Sequence, residues 1–334
     1  MAHILVTGGA GYIGTHTTIE LIAAGYEVSI ADNYANSTPQ AVQTVRELTG
    51  KDIPFYNVEL CDPQAVNRLF EEHAFDGVIH FAALKAVGES VEDPLTYYRV
   101  NLLSLINVTQ AMQKHNVFQL VFSSSAAVYG EQKKMPITEE APLTPTSPYG
   151  HTKAMCEQIL TDLAATDDRW QITMLRYFNP VGAHASGKIG ERPNGVPSNL
   201  LPFIAGVADG TYPMLRIFGN DYPTRDGTCI RDYIHVVDLA LGHIAALGHK
   251  AGTGKPAVYN LGSGNGYSVK EMLEAFEKTV GKPIHHQVVD RRPGDPAESY
   301  SAIGKAKAEL GWQPQKTLDD ICNDAWRWQQ TMSA

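Results

Sequence analysis

One short segment of the chain carries a tyrosine and a lysine that could act together. Tyr149 and Lys153 lie in S-P-Y-G-H-T-K at 147–153, where a helical pattern begins. A spacing of four residues places both side chains on one face of a helix. A free phenol has a pKa of about 10 and is a poor base at neutral pH, but a nearby ammonium favours the phenolate. The pair therefore predicts a tyrosine that takes a proton from a sugar hydroxyl.

A run of serines follows a predicted strand in the same half of the chain. It reads F-S-S-S-A-A-V-Y-G at 122–130. Ligands bind at the carboxyl ends of parallel strands, so we expect Ser125 to hydrogen-bond the reacting oxygen and share its proton with Tyr149. An isolated tyrosine–lysine pair is more often a solvent-facing aromatic beside a snorkelling lysine. The serine run and the glycine-rich turn described next favour the catalytic interpretation.

A glycine-rich turn stands between the first predicted strand and helix. T-G-G-A-G-Y-I-G at 7–14 matches G-x-G-x-x-G, and Gly8, Gly11 and Gly14 match G-x-x-G-x-x-G. Such glycines permit positive φ and a close approach to a pyrophosphate, and the helix N-terminus favours that anion. Asp32 ends the second predicted strand about 20 residues later, where a carboxylate binds an adenosine ribose and repels a 2′-phosphate. The pattern predicts an NAD site; the alternative is a tight turn with Asp32 as a cap.

Alternating strands and helices must position these residues. We predict strands at 3–7, 27–31, 53–58, 77–81, 120–123 and 173–177. We predict helices at 13–24, 39–48, 63–73, 95–115 and 149–165. Near-continuous apolar strands that alternate with helices indicate a parallel sheet covered on both faces. The predicted fold class is therefore α/β, with a Rossmann-type doubly wound parallel sheet.

The pattern changes after residue 178. Residues 179–231 are rich in Gly, Pro and Asn, which predicts loops and short elements that line a site. Further helices are predicted at 235–247, 269–280 and 318–330, with a strand at 257–261. We predict an NAD-binding domain at 1–178, with a returning segment near 235–262, and a smaller α/β substrate-binding domain mainly at 179–334.

Composition and charge argue against several classes of protein. The chain has 334 residues, 43% of them hydrophobic, and its 27 basic and 36 acidic residues give a net charge of −9. This balance argues against nucleic-acid binding, and no apolar run is long enough to predict a membrane helix. The scattered cysteines Cys61, Cys156, Cys229 and Cys322 fit a reducing cytoplasm rather than a metal site or a disulfide framework.

Taken together, the motifs resemble the extended short-chain dehydrogenase/reductase superfamily, and within it most closely the UDP-glucose 4-epimerase family. Further resembling segments are H-F-A-A-L-K-A-V-G-E-S at 80–90, L-R-Y-F-N-P-V-G-A-H at 175–184, P-S-N-L-L-P at 197–202, I-F-G-N-D-Y at 217–222, R-D-Y-I-H-V at 231–236 and R-R-P-G-D at 291–295. The resemblance implies interconversion of UDP-glucose and UDP-galactose through a 4-keto intermediate and non-stereospecific re-reduction at C4. It also implies a tightly bound NAD that is not consumed, and a homodimer.

The resemblance implies roles for individual residues as well. The catalytic residues would be Tyr149, Lys153 and Ser125. The NAD-binding residues would be Gly8, Gly11, Tyr12, Ile13, Gly14, Asp32, Asn33, Asn36, Ser37, Glu59, Leu60, Phe81, Ala82, Ala83, Lys85, Ser123, Tyr149, Lys153, Tyr177 and Phe178. The UDP-hexose-binding residues would be Ser125, Tyr149, Asn179, Asn199, Leu200, Ile217, Phe218, Arg231, Arg292, Asp295 and Ser299. From residue type alone, the two arginines offer forks suited to a diphosphate, although a lone arginine is more often a surface ion pair.

Four positions depart from the residues usual in that family. They are Glu59 for aspartate, Ala83 for glycine, Ala127 for threonine and Ser299 for tyrosine. The tyrosine is common in members restricted to glucose and galactose, and a smaller residue goes with acceptance of N-acetylhexosamines. The resemblance thus implies that UDP-GlcNAc and UDP-GalNAc are also interconverted, unless Tyr300 or Glu298 fills the space.

Three other functions compete with this interpretation. A nucleotide-sugar 4,6-dehydratase needs acid and base groups after the catalytic hydroxyl, where Ala126 and Ala127 cannot transfer protons. A net reductase would release its dinucleotide at each turnover. A catalytically inactive NAD-sensing module would lack the Tyr149–Lys153 pair, which is intact here.

Overall fold

The computed structural model describes residues 1–192, 195–197, 199–252, 254–292 and 294–333. Its centre is a seven-stranded sheet in the order β10-β6-β5-β4-β1-β2-β3, with every neighbouring pair parallel. The strands are β1 (His3–Thr7), β2 (Glu27–Asp32), β3 (Phe55–Asn57), β4 (Gly77–His80), β5 (Gln119–Ser125), β6 (Gln171–Tyr177) and β10 (Ala257–Leu261). The strand order reverses between β1 and β4, which opens a ligand-binding crevice at the carboxyl ends of the strands. The predicted fold class is confirmed.

Helices cover both faces of this sheet. They are α1 (Tyr12–Ala23), α2 (Pro39–Thr49), α3 (Pro63–Glu72), α4 (Val87–Glu92), α5 (Pro94–Lys114), α6 (Pro148–Ala164) and α8 (Val236–Gly248). Leu5 packs into a core with Leu105 of α5 and Leu160 of α6, whereas its neighbour Val6 packs on the other face with Leu239 of α8. Because both faces of the sheet are buried, the sequences of its strands are nearly continuous runs of apolar residues.

Three helix starts share a capping residue followed by proline. The side chains of Asp62, Asp93 and Ser147 accept backbone N–H bonds from the first turns of α3, α5 and α6. Each is followed by a proline at the first helical position, where the missing N–H costs nothing and the fixed φ suits a helix. For this reason α5 and α6 each begin one residue earlier than predicted.

Shorter elements make up most of the chain after residue 178. The strands are β7 (Asn179–Val181), β8 (Leu215–Phe218), β9 (Ile230–His235), β11 (Gly266–Ser268), β12 (His286–Val289) and β13 (Glu298–Ser299). The helices are α7 (Leu200–Ala208), α9 (Val269–Val280), α10 (Gly304–Leu310) and α11 (Leu318–Ser333). Their core includes Ile204, Phe276 and Ile321. No helix within the described ranges is long and apolar enough to cross a membrane.

Candidate active site

The glycine turn (residues 8–14) joins β1 to α1 in close contact with the end of β4. Gly8 has φ +67°, and a Cβ added there would lie 2.7 Å from the backbone nitrogen of Ala82. A Cβ at Gly14 would lie 2.5 Å from the carbonyl oxygen of Gly8. Gly11 occupies the cap position of α1 and offers no side-chain cap, so the first N–H groups of the helix stay available to an anion. The turn therefore fits a pyrophosphate.

The Asp32 carboxylate is held beside this turn by three hydrogen bonds. It accepts from the backbone nitrogens of Ala10 at 3.1 Å and Tyr34 at 2.7 Å, and from the Ser37 hydroxyl at 3.0 Å. Asn36, next to Ser37, is exposed. A fixed carboxylate at the end of β2 suits the hydroxyls of a ribose.

Glu59 is fixed in the same region despite being longer than the usual aspartate. Its carboxylate accepts from Asn33 Nδ2 at 2.8 Å and from the backbone nitrogen of Cys61 at 2.8 Å. Burial acts to raise the pKa of Glu59, but these hydrogen bonds outweigh it and the pKa is lowered. Nearby Leu60 is buried, and its carbonyl accepts from Asn107 Nδ2. The carboxylate therefore stands ionised and oriented near the end of β2.

Ser125 and Tyr149 are brought together by the start of α6. Ser125 ends β5, and a Cβ on Gly150 would lie 2.7 Å from the carbonyl oxygen of Ala127. This contact presses the first turn of α6 against the residues after Ser125. The Ser125 side chain lies close enough to the Tyr149 phenol to act on its pKa and lower it.

Lys153 lies behind this pair in a buried position. Its Nζ donates to the carbonyl oxygen of Ser123 at 2.7 Å and lies 4.9 Å from the centre of the Phe122 ring. Burial lowers the pKa of Lys153 to about 8, against the opposing effects of Cys156 and Glu157. The ammonium is thus tied to the strand that ends in Ser125.

The expected acidic phenol is not found in the protein alone. Burial raises the pKa of Tyr149, the Ser125 side chain lowers it, and Cys156 adds to the rise. The net direction is upward in the chain by itself, so Lys153 alone does not make this phenol acidic. The physical reason is that desolvation of a phenolate exceeds the stabilisation that the chain supplies.

The other residues predicted to bind NAD line the same edge of the sheet. Phe81, Ala82 and Ala83 follow β4 and are partly buried. Tyr177 ends β6, and its hydroxyl lies 3.4 Å from His243 Nε2. Phe178 is buried, and its backbone nitrogen donates to Leu261 of β10. The positions predicted on α1 are Tyr12, whose hydroxyl donates to the carbonyl of Gly182 at 2.7 Å, and Ile13.

An arginine cluster, consisting of Phe218, Arg231, Arg292 and Asp295, forms from three separate segments. Arg231 Nη2 lies 3.5 Å from Asp295 Oδ1, and Arg292 Nε lies 4.0 Å from Asp295 Oδ2. The Arg292 guanidinium stands 4.4 Å from the centre of the Phe218 ring. Two guanidinium groups and a carboxylate therefore lie together. Guanidinium groups suit a diphosphate, and a carboxylate suits the hydroxyls of a ribose.

The remaining residues predicted to bind the sugar nucleotide lie on neighbouring elements. Asn179 Nδ2 donates to the carbonyl of Asp232 at 2.9 Å. Ile217 is buried, so only its backbone can face a ligand. Asn199 stands at the cap position of α7 without capping it, and Leu200 is the first residue of that helix. Ser198 and Pro293, which belong to two of the resembling segments, lie outside the described residues.

Ser299 pairs in register with Arg231 on the neighbouring strand β9. A Cβ on Gly266 would lie 3.1 Å from the Tyr300 ring, and Glu298 acts electrostatically on Arg225. Side chains alternate along a strand, so Glu298 and Ser299, the two residues of β13, point to opposite faces.

Sequence patterns do not identify two further residues of the site. Glu191 accepts from Lys85 Nζ at 3.1 Å and from Asn199 Nδ2 at 2.9 Å. Asn101 of α5 is buried and bonds both backbone groups of Leu84 and the hydroxyl of Thr152, which precedes Lys153. The available signal was an asparagine inside a predicted helix, a place where amides are disfavoured unless they are satisfied.

Comparison with known proteins identifies similar chains along the whole length. A family model described as GDP-mannose 4,6 dehydratase matches residues 5–325. The chain is 54% identical over 328 residues to a UDP-glucose 4-epimerase of Bacillus subtilis, covering 98% of this chain and 97% of that one. A UDP-glucose 4-epimerase of Bifidobacterium longum, solved with NAD+ and UDP, is 50% identical over 98% of both chains, with a TM-score of 0.94. One from Stenotrophomonas maltophila, with NAD and formylated UDP-arabinopyranose, is 48% identical over 100% of this chain and 99% of that one, with a TM-score of 0.97.

Proposed function

The chain belongs to the family of UDP-glucose 4-epimerases, and from this premise we propose that it interconverts UDP-glucose and UDP-galactose with a retained NAD. The observation that carries the proposal is the convergence of the Ser125–Tyr149 pair, buried Lys153 and the glycine turn at one edge of the sheet. The arginine cluster supplies the complementary site for a nucleoside diphosphate. A dehydratase is not favoured, because Ala126 and Ala127 carry no proton-transfer groups.

NAD fits the groups that the chain offers. The backbone at Gly8 and Gly14 leaves no room for side chains, the start of α1 faces an anion, and Asp32 suits a ribose diol. We propose that residues 1–178, with a returning segment near 235–262, hold the cofactor, and that 179–334 hold most of the sugar nucleotide. Bound NAD would supply the acceptor and donor of the hydrogen at C4, and a positive ring beside Tyr149.

The proposed base is the Tyr149 phenolate oxygen. It takes the proton of the sugar C4 hydroxyl during oxidation and returns it during reduction. Ser125, which lies close to the phenol and lowers its pKa, would hydrogen-bond the C4 hydroxyl of the sugar. A positive charge near Tyr149 opposes the effect of burial on the phenol, because an opposite charge favours the ionised form. Lys153 adds a buried ammonium on the same helix face.

The proposed diphosphate site is the arginine cluster. Arg231 also donates to the carbonyl oxygens of Ile230 and Pro296, both at 2.9 Å, which fixes its guanidinium. Arg292 stacks on Phe218, and its side chain remains 52% exposed. A guanidinium fixed by the backbone and an exposed guanidinium could together hold the diphosphate while the hexose presents either of its faces.

The experiment that tests this function is a turnover assay with the purified chain and no added dinucleotide. UDP-galactose is supplied, and the products are separated and quantified. We expect UDP-glucose to accumulate to an equilibrium mixture, and NAD to be recovered from the denatured protein. Stoichiometric consumption of added NADH, with a reduced sugar nucleotide as the product, would instead support a reductase.

We also propose that UDP-GlcNAc and UDP-GalNAc are substrates, because Ser299 is small where members restricted to glucose and galactose commonly have tyrosine, and Glu298 points to the opposite face of β13. Ser299→Tyr should abolish conversion of UDP-GlcNAc and leave that of UDP-galactose within about threefold, since only the acetamido group needs the space. Ser299→Ala, which keeps the space, is the control. A wild-type chain that converts UDP-galactose but not UDP-GlcNAc would contradict the proposal.

We propose a homodimer formed through α5 and α6. Three apolar side chains stand exposed on these helices, Leu95 at 79%, Leu103 at 39% and Met155 at 44%. Such a patch marks an interaction surface when it is contiguous. We expect wild type to have twice the chain mass by light scattering, and Leu103→Glu with Met155→Glu to be monomeric. Leu241→Glu on α8, similarly exposed, should remain dimeric.

A cytoplasmic location is proposed as well. The described cysteines are all free, which suits a reducing compartment. Fractionation of the source cells should recover the chain with cytoplasmic markers, and recovery with the extracellular fraction would contradict the proposal.

A further inference from the structure

We infer that Glu191 is a positioning residue that couples the NAD side of the site to the sugar-nucleotide side. The inference rests on the proposed function, because it takes Lys85 and Asn199 as ligand-binding residues. Glu191 is not proposed to contact either ligand itself. It positions the Lys85 ammonium and the Asn199 amide, which are proposed to contact the ligands.

One carboxylate oxygen receives both partners. Glu191 Oε1 accepts from Lys85 Nζ at 3.1 Å and from Asn199 Nδ2 at 2.9 Å. Lys85 belongs to the loop after β4, on the proposed NAD side, and Asn199 immediately precedes α7 on the other side. The Glu191 side chain is 11% exposed, whereas that of Lys85 is 61% exposed. The carboxylate is thus the confined partner, and the lysine is the one it restrains.

The backbone of Glu191 is itself anchored. Its carbonyl oxygen accepts from Trp328 Nε1 of α11 at 2.9 Å. A Cβ on Gly190 would lie 2.4 Å from the Trp328 ring, so this glycine lies directly against the indole. Gly190 also pairs with Ala183 in an isolated antiparallel bridge. The carboxylate therefore projects from a segment held on two sides.

The hydrogen-bonding capacity of the partners leaves them free to bind ligands. An ammonium has three donors and a side-chain amide has two, and Glu191 uses one of each. The bond that holds Asn199 also keeps its amide from capping α7, whose first N–H groups remain without a side-chain cap. Glu191 can therefore orient both residues while their remaining donors face the ligands.

A purely structural role for the Lys85–Glu191 ion pair would have a different consequence. Exposed pairs contribute little to stability, and their removal does not alter ligand affinity at a distance. If Glu191 positions its partners, its replacement should weaken ligand binding only through the displacement of Lys85 and Asn199. Such a dependence is measured by a double-mutant cycle.

The experiment compares wild type, Glu191→Ala, Asn199→Ala and Glu191→Ala/Asn199→Ala as full-length chains. The dissociation constant of UDP is measured by calorimetry, and NAD recovered per chain is measured after denaturation. Glu191→Ala should weaken UDP binding about tenfold and lower NAD content. In the Asn199→Ala background the same change should alter UDP binding by less than twofold. Glu191→Gln, which keeps an acceptor but not the charge, should bind UDP better than Glu191→Ala and serves if the alanine variant fails to fold.

The controls separate this inference from the proposed function. Glu274→Ala, an exposed glutamate of α9, should leave UDP binding and NAD content unchanged. Equal UDP affinity in wild type, Glu191→Ala and Glu191→Gln, or fully independent effects of Glu191 and Asn199, would overturn the inference. A wild-type chain that binds UDP but does not convert UDP-galactose would contradict the proposed function and leave this comparison measurable.

Discussion

The glycine turn and the arginine cluster offer a ligand different kinds of groups. At the glycine turn these are backbone N–H groups, fixed because Gly8 and Gly14 pack against neighbouring backbone. In the arginine cluster they are side chains: Arg231 is held by two backbone carbonyl oxygens, whereas the Arg292 side chain remains 52% exposed. The glycine turn is therefore preset, whereas one arginine of the cluster can adjust. This difference suits a cofactor that stays in place and a hexose that must rotate between oxidation and reduction.

The largest expected effect is at Tyr149, the proposed base. Tyr149→Phe removes the proposed base without changing the volume of the side chain by much. General-base catalysis typically contributes about 10²–10⁴ in rate, so kcat should fall by roughly that factor. UDP affinity and NAD content should stay within about twofold, because neither region is altered. A kcat that stays within about threefold of wild type would show that another group is the base.

Acid should lower the free energy of unfolding through three buried histidines of the sheet region. Burial lowers the pKa values of His16 and His80 to about 3 and that of His243 to about 4. These histidines stay neutral when folded but become charged near pH 6.5 when unfolded. Their contribution to stability is therefore complete above pH 6.5 and is lost as the pH falls. At pH 5.5 each should cost about 1.4 kcal/mol, or about 4 kcal/mol together.

Urea unfolding at pH 7.5 and at pH 5.5 measures this loss. A difference below about 1 kcal/mol between the two pH values would mean that the buried histidines are not kept neutral by the fold.

Loss of one arginine should affect the sugar-nucleotide side alone. Arg231→Ala removes a fixed fork and leaves Asp295 without its nearer cation. Truncating a hydrogen-bonded charge typically costs at least about 2 kcal/mol, so UDP should bind about 30-fold more weakly. NAD content should not change. Arg216→Ala, on an exposed position of β8, is the matched control. Equal losses in both variants would indicate a general charge effect.

The smallest expected effect is confined to the glycine turn. Gly14→Ala places a methyl group against the Gly8 carbonyl, and the turn must shift. Overpacking of this kind costs about 1–3 kcal/mol, so NAD should be held at least about fivefold more weakly. UDP affinity should be retained. Gly304→Ala meets no atom within 4 Å and should behave as wild type. Weaker UDP binding in Gly14→Ala would mean that the two regions are not independent.

The sequence predicts those parts of the site that depend on local spacing. The glycine turn, Asp32 and the Tyr149–Lys153 pair are each recognised within a few residues or one strand–helix unit. The strand at 257–261 and the helix at 269–280 match the structure because their apolar patterns are clear. The Lys85–Glu191 bond joins residues 106 positions apart, and no periodicity indicates such a contact.

The sign of the Tyr149 pKa shift could not be predicted for a related reason. It depends on whether burial or a neighbouring charge dominates, and residue types alone do not give the depth of burial. Burial dominates in the protein by itself. The strands β7, β8, β9, β11, β12 and β13 escape prediction because each contains polar side chains and none forms a near-continuous apolar run.

The central claim is that the hydrogen on C4 is removed and returned within the site and never exchanges with water. Epimerisation of UDP-galactose in D2O, followed by NMR of the UDP-glucose formed, tests this directly. The account predicts that C4 of the product carries no deuterium, although the hydroxyl protons exchange. Deuterium at C4 would contradict it, because the hydrogen would then have come from solvent.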